Sequence, residues 1–468
     1  MTSKPNHNQS DTPEDLGRRK LFKLSAVAAG LAATGGAAAW VGGRIQGVPF
    51  DGGFPMPVDE ALLKPFSQRN WIFSQGGSEK NWAQFPERDT AFAELIGEPG
   101  WSFRDGMFAA SDYTRPPEQW DDSKPGYQQI DWALFCAASH PLEYLGKMAK
   151  FGQPDAPGIC GWQQKNLAPV QWKFSSRQDA ATRIKRAASL FGATRVGITY
   201  NDPRWNYEPM YNIMESKEVS WEEYPFKPKT VIVMLHEMDY DGIRTSPAAT
   251  SVGAVNKAYT DMALVAGSLA DFIRRLGYQA VASHNDSINK VAYGIMAGLG
   301  EGARNGALVA PGLGPRVRIS AVLTDLDFVE YDKPRNFGIM EFCRHCKLCA
   351  DRCPSKAITF DDEPSYQPTF EGADNPDLAW HGQKGVLKYY NDAKKCYKFW
   401  ADNNVACTNC IKSCPWNKPD FWHHRLIDAS NTFTRGPIHS FMREMDSLFG
   451  YGNMDVAKAH KLFWHKEV

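Results

Sequence analysis

The sequence predicts an α/β domain of layered helices and strands, followed by a cysteine-rich segment. Two observations carry this prediction. Between Ser176 and Leu323, amphipathic segments alternate with short β-branched runs, the pattern of a layered α/β domain. After them, eight of the ten cysteines fall between Cys343 and Cys414 with regular gaps.

The elements follow in order. Gln178 to Phe191 has helical periodicity and ends at Gly192, a natural stop. Arg195 to Thr199 reads as a short strand, and Thr230 to Leu235 (TVIVML) as a buried one. Asn256 to Leu276 is a helix with Tyr259, Met262, Ala266, Leu269, Ile273 and Leu276 on one apolar stripe, stopped by Gly277. This places Tyr259 near the helix's amino end. Gln279 to Ser283 is the next strand, and Lys290 to Leu299 a helix closed by Gly300. In Val317 to Leu323, alternation puts Val317, Ile319, Ala321 and Leu323 on one face and Arg316, Arg318 and Ser320 on the other, non-core face. Residues before Ser176 are rich in Pro, Gly and Trp and only weakly periodic. The expected domains are a leader (1–43), a loop-rich N-terminal region (44–175), the α/β domain (176–333), the cysteine-rich domain (334–424) and a tail (425–468).

The cysteines read C-x2-C-x2-C-x3-C-P at Cys343, Cys346, Cys349, Cys353 and Pro354. Bacterial ferredoxins hold [4Fe–4S] clusters with this run, and its fourth cysteine serves the other cluster. A second set follows: Cys396, then Cys407, Cys410, Cys414 and Pro415. The spacing therefore assigns Cys343, Cys346, Cys349 and Cys414 to one cluster, and Cys353, Cys396, Cys407 and Cys410 to the other. Structural zinc favours paired C-x2-C knuckles and has no use for the trailing Cys-Pro. His345 reads as a spacer, and Cys136 and Cys160 as buried thiols.

At the amino end, Gly17-Arg18-Arg19-Lys20-Leu21-Phe22-Lys23 precedes an Ala- and Gly-rich apolar run from Leu24 to Gly43. Paired arginines before a modest apolar run read as a twin-arginine export signal, with Ala37-Ala38-Ala39 offering a cleavage site. That route carries folded, cofactor-loaded proteins, in keeping with the clusters. Basic and acidic residues balance, 53 against 53, which argues against nucleic acid as a partner.

Several stretches resemble the respiratory corrinoid and iron–sulfur reductive dehalogenases. They are Ala187 to Ala193 with Val196-Gly197; Gly277-Tyr278 leading to Ser283-His284-Asn285; Ala297 to Gly306 (AGLGEGARNG); Gly314 to Arg318 (GPRVR); and Phe342 to Ile358 around the first cysteine run. The resemblance spans about 176 to 425. It implies a nitroreductase-like corrinoid-binding domain joined to a ferredoxin-like domain with two [4Fe–4S] clusters. It also implies a base-off cobamide, with Ser283, His284, Asn285, Gly298, Gly300, Gly302 and Asn305 as cofactor contacts. Tyr259 would be the proton donor, with Asn285 and Arg318 as its catalytic partners. A phenol with an ordinary pKa of about 10 donates poorly unless its anion is stabilised, a task suited to a guanidinium. The implied partners are an organohalide, a small integral-membrane anchor and a membrane electron donor such as quinol, at the outer face of the cytoplasmic membrane. Two other functions share parts of this pattern: an epoxyqueuosine-reductase-like corrinoid enzyme and an exported ferredoxin-type electron carrier. Trp101, Trp132, Trp205 and Trp400 are candidates for an apolar substrate pocket.

Overall fold

The computed structural model describes residues 47–71, 121–148, 160–212, 217–370, 382–403, 405–419, 437–448, 450 and 452–465. The twin-arginine leader and Trp101 lie outside them. Besides a short helix at Tyr240–Arg244, the described α-helices are α1 (Gln129–Met148), α2 (Arg177–Phe191), α3 (Ala249–Arg275), α4 (Lys290–Met296), α5 (Ile339–Cys346), α6 (Leu348–Asp351), α7 (Ala393–Asp402), α8 (Asn409–Lys412), α9 (Pro437–Leu448) and α10 (Val456–His465). The main sheet comprises β1 (Arg195–Tyr200), β2 (Thr230–Glu237), β3 (Ala280–Ser283) and β4 (Val317–Thr324).

The sheet order is β1-β2-β4-β3 and every pairing is antiparallel. Its two faces bury different sets of side chains, which is why the strands read as almost continuously apolar. Ile232, Met234 and Val322 face α2 and α3 through Ile184, Ala266, Leu269 and Ile273. Val231, Val233, Ala321 and Leu323 pack on the other side against Tyr293, Ile295 and Met296 of α4. The alternation expected in β4 is present. However, the face carrying Ser320 and Val322 is also core, covered by α3 rather than open to water.

Local chemistry fixes the helix ends. Ser176 caps α2 by accepting from Asp179 N, and Gly192 ends it with φ at 116°. Asn289 caps α4 in the same way through Ala292 N. Helix α3 starts seven residues before the expected Asn256. Its first turns are held by tertiary contacts instead of propensity. Thr250 Oγ1 donates to Asp131 of α1 at 3.0 Å, Ser251 Oγ donates to the Ala248 carbonyl, and both side chains are buried. Tyr259 consequently sits in the third turn of α3, not near its start.

The region expected to be loop-rich contains the 20-residue α1, which packs along α3. Trp132 and Phe135 meet Ala248, Ala249 and Val252 there. The expected tail contains α9 and α10 among its described residues, and α10 is fixed to α1. Asp131, fully buried, accepts from His460 Nε2 at 2.8 Å and Trp464 Nε1 at 2.9 Å.

Candidate active site and cluster-binding segment

Helix α3, the loop after β3 and strand β4 deliver Tyr259, Asn285 and Arg318 to one place. The Arg318 guanidinium carbon lies 4.7 Å from the Tyr259 ring centroid, and Asn285 Nδ2 makes a long 3.5 Å contact with the Tyr259 hydroxyl. Asn285 is exposed, while Tyr259 and Arg318 are half-buried. The position is set by register: Arg318 pairs with His236 across β2 and β4 and so shares the face that α3 covers.

A polar scaffold lies behind the trio. His284 Nε2 donates to the Tyr259 carbonyl at 2.9 Å, which fixes the proton on that nitrogen. His236 Nε2 bonds Ser320 Oγ at 2.7 Å. Burial pushes the His284 imidazole down to about 4 and His236 down to about 3, so both are neutral at pH 7. Among the described residues, His236 Nδ1 and Arg318 Nε are buried without a hydrogen-bond partner. A donor left open beside Tyr259 fits a polar group arriving from outside the chain.

The loop bearing Asn285 is braced by Asp286. Ser283 Oγ donates to the Asp286 carbonyl at 2.8 Å, His284 N to its Oδ1 at 2.8 Å, and Lys290 Nζ to its carbonyl at 2.7 Å. Burial pulls the Lys290 ammonium down to about 8, with Asp286 opposing. Ser283 is thus occupied within the loop, leaving Asn285 as its projecting side chain. Sequence reading missed Asp286 and Lys290, because a loop brace carries no motif of its own.

The glycine-rich segment faces its own chain. A Cβ at Gly298 would stand 2.4 Å from the Lys333 carbonyl oxygen, and one at Gly300 2.2 Å from that of Val309. A Cβ at Gly302 would meet Ile295 and Met56 at ordinary contact. Glu301 accepts from Ile339 N at 2.9 Å and Met340 N at 3.2 Å, and also from Phe337 N, so it caps α5. Arg304 donates to the Cys343 carbonyl, and Asn305 Nδ2 reaches the Cys410 carbonyl at 3.4 Å. The segment expected to cradle a cofactor tail therefore braces the cysteine-rich segment against the α/β domain.

Cys343, Cys346, Cys349 and Cys414 line a single cavity together with Arg304 and Asn305. Cys353 packs with Ala357 and Ile358 against Cys396 and Cys410. Burial pushes the Cys343 and Cys407 thiols up to about 11, and Cys346 and Cys410 up to about 12. Crowded, buried sulfurs of this kind want positive metal among them. Among the described residues, no three His, Cys, Asp or Glu side chains close around a single ion. Four cysteines lining one cavity are the kind of donor set that [4Fe–4S] clusters take. His345 faces away and stacks edge-on against His439, its ring 6.0 Å distant. Tyr259 and Cys410 both pack on the apolar group of Met238, Ile243, Val255, Ala258 and Ile411. This links the trio to the second set of cysteines.

The tryptophans do not converge. Trp132 belongs to the α1–α3 core and Trp205 to the core on the opposite side of the sheet, while Trp400 sits 5.6 Å from Tyr397 on α7. Cys160 is fully buried, and burial holds its thiol protonated; Cys136 is partly buried.

The fold joins an antiparallel α/β domain to a segment with the cysteine spacing of iron–sulfur proteins. Residues 342–418 match the 4Fe-4S dicluster domain family. The chain is 38% identical over 336 residues to a tetrachloroethene reductive dehalogenase of Desulfitobacterium hafniense, covering 63% of this chain and 59% of that protein. An epoxyqueuosine reductase of Lactococcus garvieae is 31% identical over 130 residues, only 27% of this chain and 32% of the other. The fold matches that of a solved catabolic reductive dehalogenase with a TM-score of 0.62 at 21% identity, over 88% of this chain and 50% of that one. These comparisons show a chain similar to reductive dehalogenases over most of its length, with a 4Fe-4S dicluster segment. The chain spans about six-tenths of the length of the curated relatives it matches at 38% identity.

Proposed function

We propose that the chain is a corrinoid-dependent oxidoreductase that replaces the halogen of an organohalide with hydrogen. The observation that carries the reading is the meeting of Tyr259, Asn285 and Arg318 beside the apolar group shared with Cys410. The reaction is R–X + 2e⁻ + H⁺ → R–H + X⁻: the carbon–halogen bond breaks, a carbon–hydrogen bond forms and halide leaves. A bound corrinoid supplies the low-potential cobalt that delivers electrons to the carbon–halogen bond. The chain's own residues supply the rest. Tyr259 donates the proton from its hydroxyl. Arg318 places a cation over the ring that becomes phenolate, and the Asn285 amide aligns the hydroxyl or the substrate. Asn285 and the Arg318 Nε–H are the polar groups left to border corrinoid and substrate. His284 Nε2 and His236 Nε2 are spent on the Tyr259 carbonyl and Ser320 Oγ, so both rings would position the site's own residues when a corrinoid is bound.

Two [4Fe–4S] clusters would be held crosswise, one by Cys343, Cys346, Cys349 and Cys414 and the other by Cys353, Cys396, Cys407 and Cys410, and would supply the electrons. Cys410 of the second set packs on the same apolar group as Tyr259. The paired Arg18-Arg19 supports export of the loaded protein to the outer face of the cytoplasmic membrane. Among the described residues no helix is long and apolar enough to cross a membrane. A small integral-membrane partner would then anchor the enzyme and a membrane donor such as quinol would feed it.

The test is cobalt content and halide release by the reconstituted protein. Cobalt near one per chain, with halide released from a haloalkene or haloaromatic panel, is expected. Intact clusters without cobalt would refute the reading. Tyr259→Phe should lower turnover at least about 100-fold, the usual weight of a general acid, while leaving cluster spectra unchanged. Undiminished turnover would remove Tyr259 from the chemistry.

A further inference from the structure

Arg304 is fully buried, yet every partner it has is a neutral carbonyl oxygen. Nε and Nη2 donate to the Cys343 carbonyl at 3.1 and 3.0 Å, and Nη1 donates to those of Thr359 and Asp361 at 2.9 and 2.8 Å. The guanidinium carbon lies 3.9 Å from the Tyr389 ring centroid. Among the described residues no carboxylate comes within ion-pair distance of it. A buried cation normally requires a compensating negative charge, because desolvation costs several kcal/mol. The side chain lines the cavity of Cys343, Cys346, Cys349 and Cys414. Four thiolates outweigh the positive core of a [4Fe–4S] cluster, so the loaded site is anionic, and more so after reduction.

We infer that Arg304 is the counter-ion of this first cluster and raises its reduction potential. Net charge and hydrogen bonds around the sulfurs are among the protein's means of setting cluster potentials. A fixed guanidinium in a buried site is screened less than one at the surface, and no carboxylate among the described residues pairs with it directly. Its fork also holds the Cys343 carbonyl, so charge and ligand loop move as one piece. Asn305 lines the same cavity and reaches Cys410 of the other cysteine set, so this short segment touches both cluster loops. The inference rests on the cluster-binding part of the proposed function. It needs neither the corrinoid nor the organohalide.

The experiment is an EPR-monitored redox titration of the chain reconstituted with iron and sulfide. Arg304→Gln should weaken electron binding by one cluster about tenfold, a downward shift of about 59 mV for a one-electron couple, with the other cluster moving less. Arg304→Lys keeps the charge and should stay close to the parent. Unmoved midpoints in Arg304→Gln, or an equal shift in Arg304→Lys, would overturn the inference. Should Arg304→Gln fail to take up clusters, Asn305→Asp decides. It is nearly isosteric, keeps the acceptor for Ala307 N and adds a negative charge at the same cavity. A lowered midpoint supports the counter-ion role and an unmoved one refutes it. Absence of cluster signals in the unsubstituted chain would overturn this inference together with the cluster reading, whereas clusters without cobalt would overturn only the corrinoid reading.

Discussion

His236 and His284 are the residues on which the Tyr259 site rests, and their protonation has a calculable cost. Both imidazoles are depressed, to about 3 and about 4, with burial as the first cause; for His236 the charges of His284 and Lys257 add to it. In the unfolded chain each would titrate near 6.5. Between the two values the unfolded state binds protons that the folded state does not, so stability rises with pH across that window. It is fully present above about 6.5 and is lost as pH falls toward about 3 to 4. We expect the thermal midpoint to drop on acidification from pH 7 to pH 5, with roughly 1–2 kcal/mol traceable to His236. The check is His236→Gln: its midpoint should start lower, through loss of the Ser320 bond, but fall less steeply than the parent's. Equal slopes would mean that His236 is not buried neutral. Neither histidine's supporting role was legible in the sequence. His284 stood out only beside Asn285, and His236 closed a strand with nothing to announce that Arg318 would pair opposite it.

At the scale of elements, the strands were the most legible because β-branched runs such as Thr230 to Leu235 bury on both faces. Helix α1 was not legible, since Pro141 interrupts its pattern and most of its stability comes from packing on α3. The glycine-rich segment stood out in the sequence, but its intramolecular work did not. Gly298 and Gly300 are demanded by the neighbouring Lys333 and Val309 carbonyls. Its key acidic residue, Glu301, works on α5. Helix α5 begins at Gly338, which offers no side chain to cap it, so the Glu301 carboxylate takes over from a distant strand. This fixes the helix that carries Cys343 and Cys346. Glu301→Ala should cost about 1–2 kcal/mol, the usual value of a lost cap with its charge–dipole contribution. It should also reduce iron bound at the first cysteine set after reconstitution. Iron content together with the thermal midpoint measures both effects, and an unchanged value for each would show that α5 holds its own start.

At the scale of the whole molecule, two cysteine runs separated in sequence are interleaved in space, and the consequence can be tested by deletion. The cavity of Cys343, Cys346 and Cys349 recruits Cys414 from the far run. Cys353, four residues after Cys349, packs with Cys396 and Cys410 in a group that Cys349 also borders. Lys347, with φ at 55°, makes the left-handed turn between α5 and α6 that lets one short segment face both ways. If clusters bind as this interleaving requires, Cys353→Ala and Cys414→Ala strike different clusters from those their sequence neighbours would suggest. Cys414→Ala should disturb the cluster whose midpoint responds to Arg304, while Cys353→Ala should spare it and disturb the other. Uncrossed binding gives the reverse result, with Cys353→Ala changing the Arg304-sensitive signal. Cys353→Ala should also affect turnover more directly, because its cluster shares Cys410 with the apolar group against which Tyr259 packs. Redox titration of both variants, read beside their halide release, separates the crossed arrangement from the uncrossed one.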